Sequence, residues 1–145
     1  MVHILNQISV ERGDEVALRD SRLTLGWASV NDLLNQATNA LLQMLPGDGG
    51  RVAVFAENSA ETLVIHLASL LAGVSSVPVN FHLNAAEVAY ILSDSGAEAL
   101  FVGPETAEIG VEAAQLAGLP IIIGWRLGEQ VAALDRHRGH VDQHA

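Results

Sequence analysis

The chain offers six histidines and seven arginines but neither cysteine nor lysine. Without cysteine it can form no disulfide, thiolate metal site or cysteine nucleophile, which fits a reducing compartment. His137, His140 and His144 are spaced three and four apart, so a helix would gather them on one face as a zinc or nickel site. Against that, Gly139 weakens a helix and no carboxylate ligand is fixed beside them, so a solvated tail without metal is expected. His66 lies inside an apolar stretch, where a core or interface histidine with a local hydrogen-bond partner is the simpler reading. Gly47, Gly49 and Gly50 do not make a phosphate loop, because they precede a strand, whereas phosphate-binding glycines follow a strand and open a helix.

The elements that must position these groups are written as a repeating unit: a short β-branched run, a capping residue, a helical stretch and a glycine. In the first unit Arg51 to Ala56 is a strand buried on both faces, Asn58 caps the next helix, Glu61 completes a capping box, and Gly73 ends it. The second runs from a strand at Ser76 to Val79 through Asn84 and Glu87, again a cap and its partner, along Val88, Ile91 and Leu92 to Gly96. In the third, Ala99 to Val102 is the strand, Pro104 suits a first helical turn, Ile109, Ala113 and Leu116 form the apolar stripe, and Gly118 closes the helix. Pro120 to Ile123 supplies a fourth strand.

Strands alternating with helices through short loops predict an α/β fold, an open, mostly parallel sheet with helices on both faces. Ahead of it the sequence predicts a β-hairpin, Val16 to Asp20 with Leu23 to Leu25, and an amphipathic helix from about Ala28 to Leu45 carrying Val30, Leu33, Leu34, Ala37, Leu41 and Met44. Leu127 to Leu134 could form one more helix, and Asp135 to Ala145 reads as a polar tail. The expected organisation is one domain over 1–134 and a flexible tail over 135–145. In such a sheet ligands gather beyond the carboxyl ends of the strands, here Glu57 to Ser59, Asn80 to His82, Gly103 to Glu105 and Gly124 to Trp125. For Asn58 and Ser59 helix capping is the simpler role.

Composition agrees with one folded domain: half of the 145 residues are hydrophobic and 17% are charged. The formal charge of -10 repels phosphate backbones and anionic membranes, so nucleic acid is not an expected partner. The first fifteen residues lack a basic leader and an apolar run of secretory type, and the apolar stretch Thr62 to Val79 reads as a buried helix and strand rather than a transmembrane segment. A cytoplasmic location is the expectation.

Several phrases, taken in order, resemble the adenylate-forming superfamily and most closely its AMP-forming acyl-CoA synthetases. Arg12 to Leu18 (RGDEVAL) is similar to an early strand of that family, and Leu23-Thr24 before a long helix to its next segment, although Leu25-Gly26-Trp27 departs from the usual aromatic-first pattern. Gly50 to Val54 (GRVAV), Glu57 to Glu61 (ENSAE) and Leu70 to Val74 (LLAGV) follow. The fullest match is Val77 to Leu83 (VPVNFHL) with Glu87 to Ala97 (EVAYILSDSGA), which resembles bacterial medium- and long-chain acyl-CoA ligases.

The resemblance implies the N-terminal part of a fatty-acid ligase that uses ATP, Mg and coenzyme A through an acyl-adenylate. It also implies that Asn80, Phe81 and His82 lie near the substrate pocket, His82 falling where many relatives carry a basic residue. The family's phosphate loop, adenine-binding motif and C-terminal domain have no counterpart in the 145 residues. Because the chain has no lysine, neither family lysine can be present under any alignment, and losing even one preorganised charge partner commonly costs ~10²–10³ in rate. No catalytic residue, cofactor or ligase activity is therefore expected of this chain alone. The alternatives are a free-standing interaction or dimerisation module, with self-association or docking onto the rest of such a domain, and an independent doubly wound nucleotide-binding protein. The last would want a Gly-rich turn directly after a strand, which is missing.

Overall fold

The computed structural model describes residues 1–47 and 49–125, and the backbone of 135–138. The chain opens with α1 (Val2–Glu11), which the sequence reading did not anticipate. It has no side-chain N-cap and no fully buried residue, so neither signal that marks a helix was there to find. The hairpin follows as β1 (Val16–Arg19) and β2 (Thr24–Gly26), paired antiparallel, and leads straight into α2 (Trp27–Met44). Helix α2 buries Val30, Leu34, Ala37 and Leu41, one stripe at helical spacing.

The main sheet holds β3 (Arg51–Phe55), β4 (Ser75–Val79), β5 (Ala99–Val102), β6 (Ile121–Gly124) and β7 (Asp135–Arg138), in the order β4-β3-β5-β6-β7. The first four strands run parallel, and β7 pairs antiparallel with β6. Thus the start of the segment expected as a tail, 135–138, forms a strand, while 139–145 and the helix expected over 127–134 lie outside the described residues.

Chain direction explains why helices cover both faces. The connection from β3 to β4 moves outward through α3 (Ala60–Ala72), and the next two run in the opposite direction, through α4 (Ala85–Ser95) across β3 to β5 and through α5 (Ala107–Ala117) from β5 to its neighbour β6. Right-handed crossovers running in opposite directions must place their helices on opposite faces. One face buries Val52, Val54, Ala99, Phe101 and Ile123 against α2 and α3. The other buries Ala53, Phe55, Val79, Leu100 and Val102 against α4 and α5. Alternate residues of each strand thus serve opposite layers, as the pleat requires. Helices α3, α4 and α5 end on Gly73, Gly96 and Gly118 at φ of 70, 68 and 69°, the left-handed region that glycine enters without a Cβ penalty.

One expected stripe is corrected. Of the three expected residues Ala113 is buried, but Ile109 and Leu116 of α5 are 37% and 62% exposed, and the helix buries Gly110 and Ala114 in their place. A Cβ at Gly110 would collide with Val102, so this helix lies too close to β5 for large side chains on the contact line. Among the described residues no helix is long and apolar enough to cross a membrane.

Candidate functional site

The strand order reverses between β3 and β5, and a cleft of about 390 Å³ opens at that end of the sheet. Its walls are Glu57, Asn58 and Ser59 after β3, Pro104 and Glu105 after β5, Trp125 after β6, and Asp20, Ser21 and Arg22 from the hairpin turn. Three of the four strand-end segments anticipated from topology therefore meet in one place.

The hairpin turn is anchored there by charge. Asp20 Oδ1 accepts the backbone N–H groups of Arg22 at 2.7 Å and Leu23 at 2.6 Å, which closes the turn. Its Oδ2 accepts the Ala60 N–H at 2.8 Å, one of the free donors at the start of α3. These bonds, from Ala60 first and then from Arg22 and Leu23, hold the Asp20 carboxyl below its usual pKa. Arg22 reaches on to Glu61, with Nη2 at 2.9 and 3.2 Å from its two carboxylate oxygens. Glu61 is only 6% exposed, so this guanidinium balances a buried charge.

That pairing changes the expected cap. Ser59, not Asn58, is the N-cap of α3, its Oγ accepting the Thr62 N–H at 3.1 Å. Glu61 points to Arg22 instead of closing a capping box. Asn84 and Glu87 do make the reciprocal box of α4, with both bonds at 3.0 Å.

Across the cleft, Glu105 folds back so that its Oε1 accepts the Glu57 N–H at 2.7 Å. Gly103 permits this, since a Cβ there would strike the carboxylate. Buried Thr106 locks the same corner: its Oγ1 accepts from Gly103 N–H at 3.1 Å and donates to the Phe55 carbonyl. The backbone donors just after β3 and at the start of α3, which could have held an anion, are thus filled by the protein's own carboxylates.

Asp20, Glu57 and Glu105 bring three carboxylates to the cleft, and its one cation among the described residues, Arg22, is committed to Glu61. Asn80, Phe81 and His82 do not line the cleft. They form their own turn after β4, where Asn80 Oδ1 accepts the His82 N–H at 3.0 Å and the Phe81 and His82 rings lie 4.1 Å apart. His66 finds a local partner: its Nδ1 is 2.9 Å from Ser76 Oγ on β4, and partial burial lowers its pKa. Among the described residues no cluster of His, Asp and Glu could hold a metal; His140 and His144, and the side chain of His137, lie outside them.

Sequence reasoning missed Asp20, Arg22 and Thr106. A local signal existed for Asp20, since Asp-Ser-Arg between two strands is turn chemistry. For Arg22 and Thr106 the partners lie 39 and 51 residues away, and no spacing rule reaches them.

The family model described as AMP-binding enzyme matches residues 6–137. The chain belongs to the AMP-binding enzyme family. Among curated relatives, the long-chain-fatty-acid–CoA ligase FadD13 of Mycobacterium tuberculosis is 34% identical over 90 residues, 62% of this chain and 18% of FadD13. Malpibaldin synthetase of Mortierella alpina is 30% identical over 132 residues, 91% of this chain but 2% of that very long protein. The inhibitor-bound crystal structure of the N-terminal domain of FACL13 from M. tuberculosis superposes with a TM-score of 0.76 at 28% identity, covering 92% of this chain and 36% of that domain. The chain therefore carries an acyl-CoA ligase fold over a fraction of its relatives' length.

Proposed function

We propose that these 145 residues form the first sheet of an ATP-dependent, AMP-forming acyl-CoA ligase of the fatty-acid type, and that they form no acyl-adenylate by themselves. The family match over residues 6–137 and the likeness to FadD13 support the ligase part, and the cleft supports the rest: at the end of the sheet where ligands gather, every described charge is a carboxylate except an arginine already bound to Glu61. The absence of lysine anywhere in the chain supports the same conclusion. In a complete ligase the groups that hold ATP, Mg and coenzyme A would be supplied by residues beyond these, and the present sheet would orient them. A cytoplasmic location goes with this reading.

ATP–pyrophosphate exchange with the pure protein and a panel of fatty acids tests it. No exchange above the blank is expected, and a clear signal would overturn the proposal. A second reading, a free-standing interaction module built on the ligase fold, is favoured by one observation. Helix α3 exposes Leu63 and Leu70, at 43% and 60%, and none of its own exposed residues is a carboxylate or an arginine.

A further inference from the structure

The hairpin turn has a cavity on each side. Beside the carboxylate-lined cleft, a second cavity of about 370 Å³ opens between β1 and α3, and Asp20, Asn58 and Ser59 are walls of both. That volume falls at the small end of the range for small-molecule sites. Most of its polar walls are satisfied within the chain. The Asp20 carboxylate accepts three backbone N–H groups, Ser59 Oγ accepts the Thr62 N–H, and Thr62 Oγ1 donates to the Glu57 carbonyl. Leu18, Ala60 and Leu63 add apolar surface, and Leu63 is 43% exposed there. Two donors are left over. Arg12 is held by Glu15, Arg22 by Glu61 and Arg51 by the Ser95 carbonyl, whereas Arg19 and Asn58 make no ion pair or side-chain hydrogen bond among the described residues.

A guanidinium with a carboxamide offers a set of N–H donors that suits a planar carboxylate, and the apolar walls suit a short hydrocarbon chain or ring attached to it. We propose that this cavity binds a small monocarboxylic acid, its carboxylate on Arg19 and Asn58 and its apolar body along Leu18 and Leu63. The Asp20 carboxylate does not bar an anion, because its charge is already met by the Ala60, Arg22 and Leu23 N–H groups and by the Arg22 guanidinium at 3.8 Å. The neighbouring cleft lacks the same provision, since its arginine is committed to Glu61. His66 also lines the second cavity, with Nδ1 at Ser76 Oγ, and burial holds its pKa below the usual value, so at neutral pH it adds no positive charge. Selectivity therefore rests on Arg19. A chain of charge -10 attracts cations and repels anions at long range, so any preference for an acid over an amine of equal length must come from such a local group. Binding of this kind needs no acyl-adenylate chemistry, and it is read by titration instead of pyrophosphate exchange.

Titration of the isotope-labelled full chain with octanoate, followed by backbone amide shifts in NMR, tests it. Saturable shifts centred on Arg19, Asn58 and Leu63 are expected, with a dissociation constant on the order of 0.1–1 mM. Octylammonium, with the same chain and the opposite charge, should bind there at least about tenfold more weakly, and acetate, the head without the chain, should not saturate in the same range. Arg19→Gln should weaken octanoate about fivefold, and Leu63→Asn by a similar factor. Leu116→Asn, on the opposite face of the sheet, should leave the affinity unchanged. Circular dichroism checks that the variants remain folded. The proposal is overturned if these amides show no saturable shift at ten times the weakest expected constant. It is overturned equally if octylammonium or acetate binds there as tightly as octanoate, or if the octanoate affinity survives either the Arg19 or the Leu63 substitution.

Discussion

Helices α3 and α4 begin with the same written signal, an asparagine followed three residues later by a glutamate, yet only α4 uses it. In α4 both members sit at the surface, and the two reciprocal bonds close within four residues. In α3 the glutamate is buried, and an unpaired buried carboxylate costs several kcal/mol, more than the roughly 1 kcal/mol a cap bond returns. Arg22 therefore takes Glu61, Asp20 takes the Ala60 N–H, and the cap moves to Ser59. A capping motif is honoured where nothing distant competes for its side chains. Where the glutamate is buried, the tertiary partner wins.

The sharpest way to break this comparison is Arg22→Ala, which leaves Glu61 buried without its guanidinium. Removing one member of a buried pair typically costs 3–5 kcal/mol, and because Arg22 is 31% exposed we expect about 2–3 kcal/mol in urea unfolding. The double variant Arg22→Ala with Glu61→Ala should recover part of that loss, giving a coupling energy above about 1 kcal/mol. A loss below about 0.5 kcal/mol for Arg22→Ala would show that Glu61 is solvated and that the cap moved for another reason.

Next comes Asp20, where the hairpin meets α3. Asp20→Asn replaces a carboxylate that accepts three backbone N–H groups with an amide whose single oxygen can keep at most part of them. A loss of about 1–2 kcal/mol at neutral pH is expected. The sign of the pH effect follows from the lowered pKa. A carboxyl whose folded value lies below its unfolded value stabilises the fold above about pH 4 and loses that contribution as the pH falls through the folded value. The difference in stability between wild type and Asp20→Asn should therefore shrink below about pH 4. A difference that stays constant down to pH 2.5 would remove Asp20 from the latch.

These two residues also mark where the sequence stopped being legible. The sheet was readable because its strands are short apolar runs and its helices end on Gly73, Gly96 and Gly118, signals contained within a few residues. Its strand ends were readable as well, which is why Glu57 to Ser59, Gly103 to Glu105 and Trp125 were singled out before they met in one cleft. What held the cleft together was not, because Arg22 with Glu61, Glu105 with Glu57 and Thr106 with Phe55 join residues 39 to 51 apart. Helix α5 failed for a different reason. Hydrophobicity favoured Ile109 and Leu116 beside Ala113 as its core, but only Ala113 is buried, and close approach to Val102 put Gly110 on the contact line, a constraint set by distance rather than by polarity.

The two asparagines give the smallest effects and the finest test. Asn84→Ala removes one half of a complete capping box and should cost about 1 kcal/mol. Asn58→Ala occupies the equivalent place in the sequence, and if both helices used the signal alike it would cost the same. Since Ser59 already caps α3, with its Oγ also 3.0 Å from Thr62 Oγ1, and Asn58 is exposed on the cleft wall, the change should stay within about 0.5 kcal/mol. Ser59→Ala should instead carry the cap's cost, about 1 kcal/mol. Urea midpoints for the three variants rank them directly, and an Asn58→Ala loss equal to that of Asn84→Ala would mean that α3 uses its written cap in solution after all.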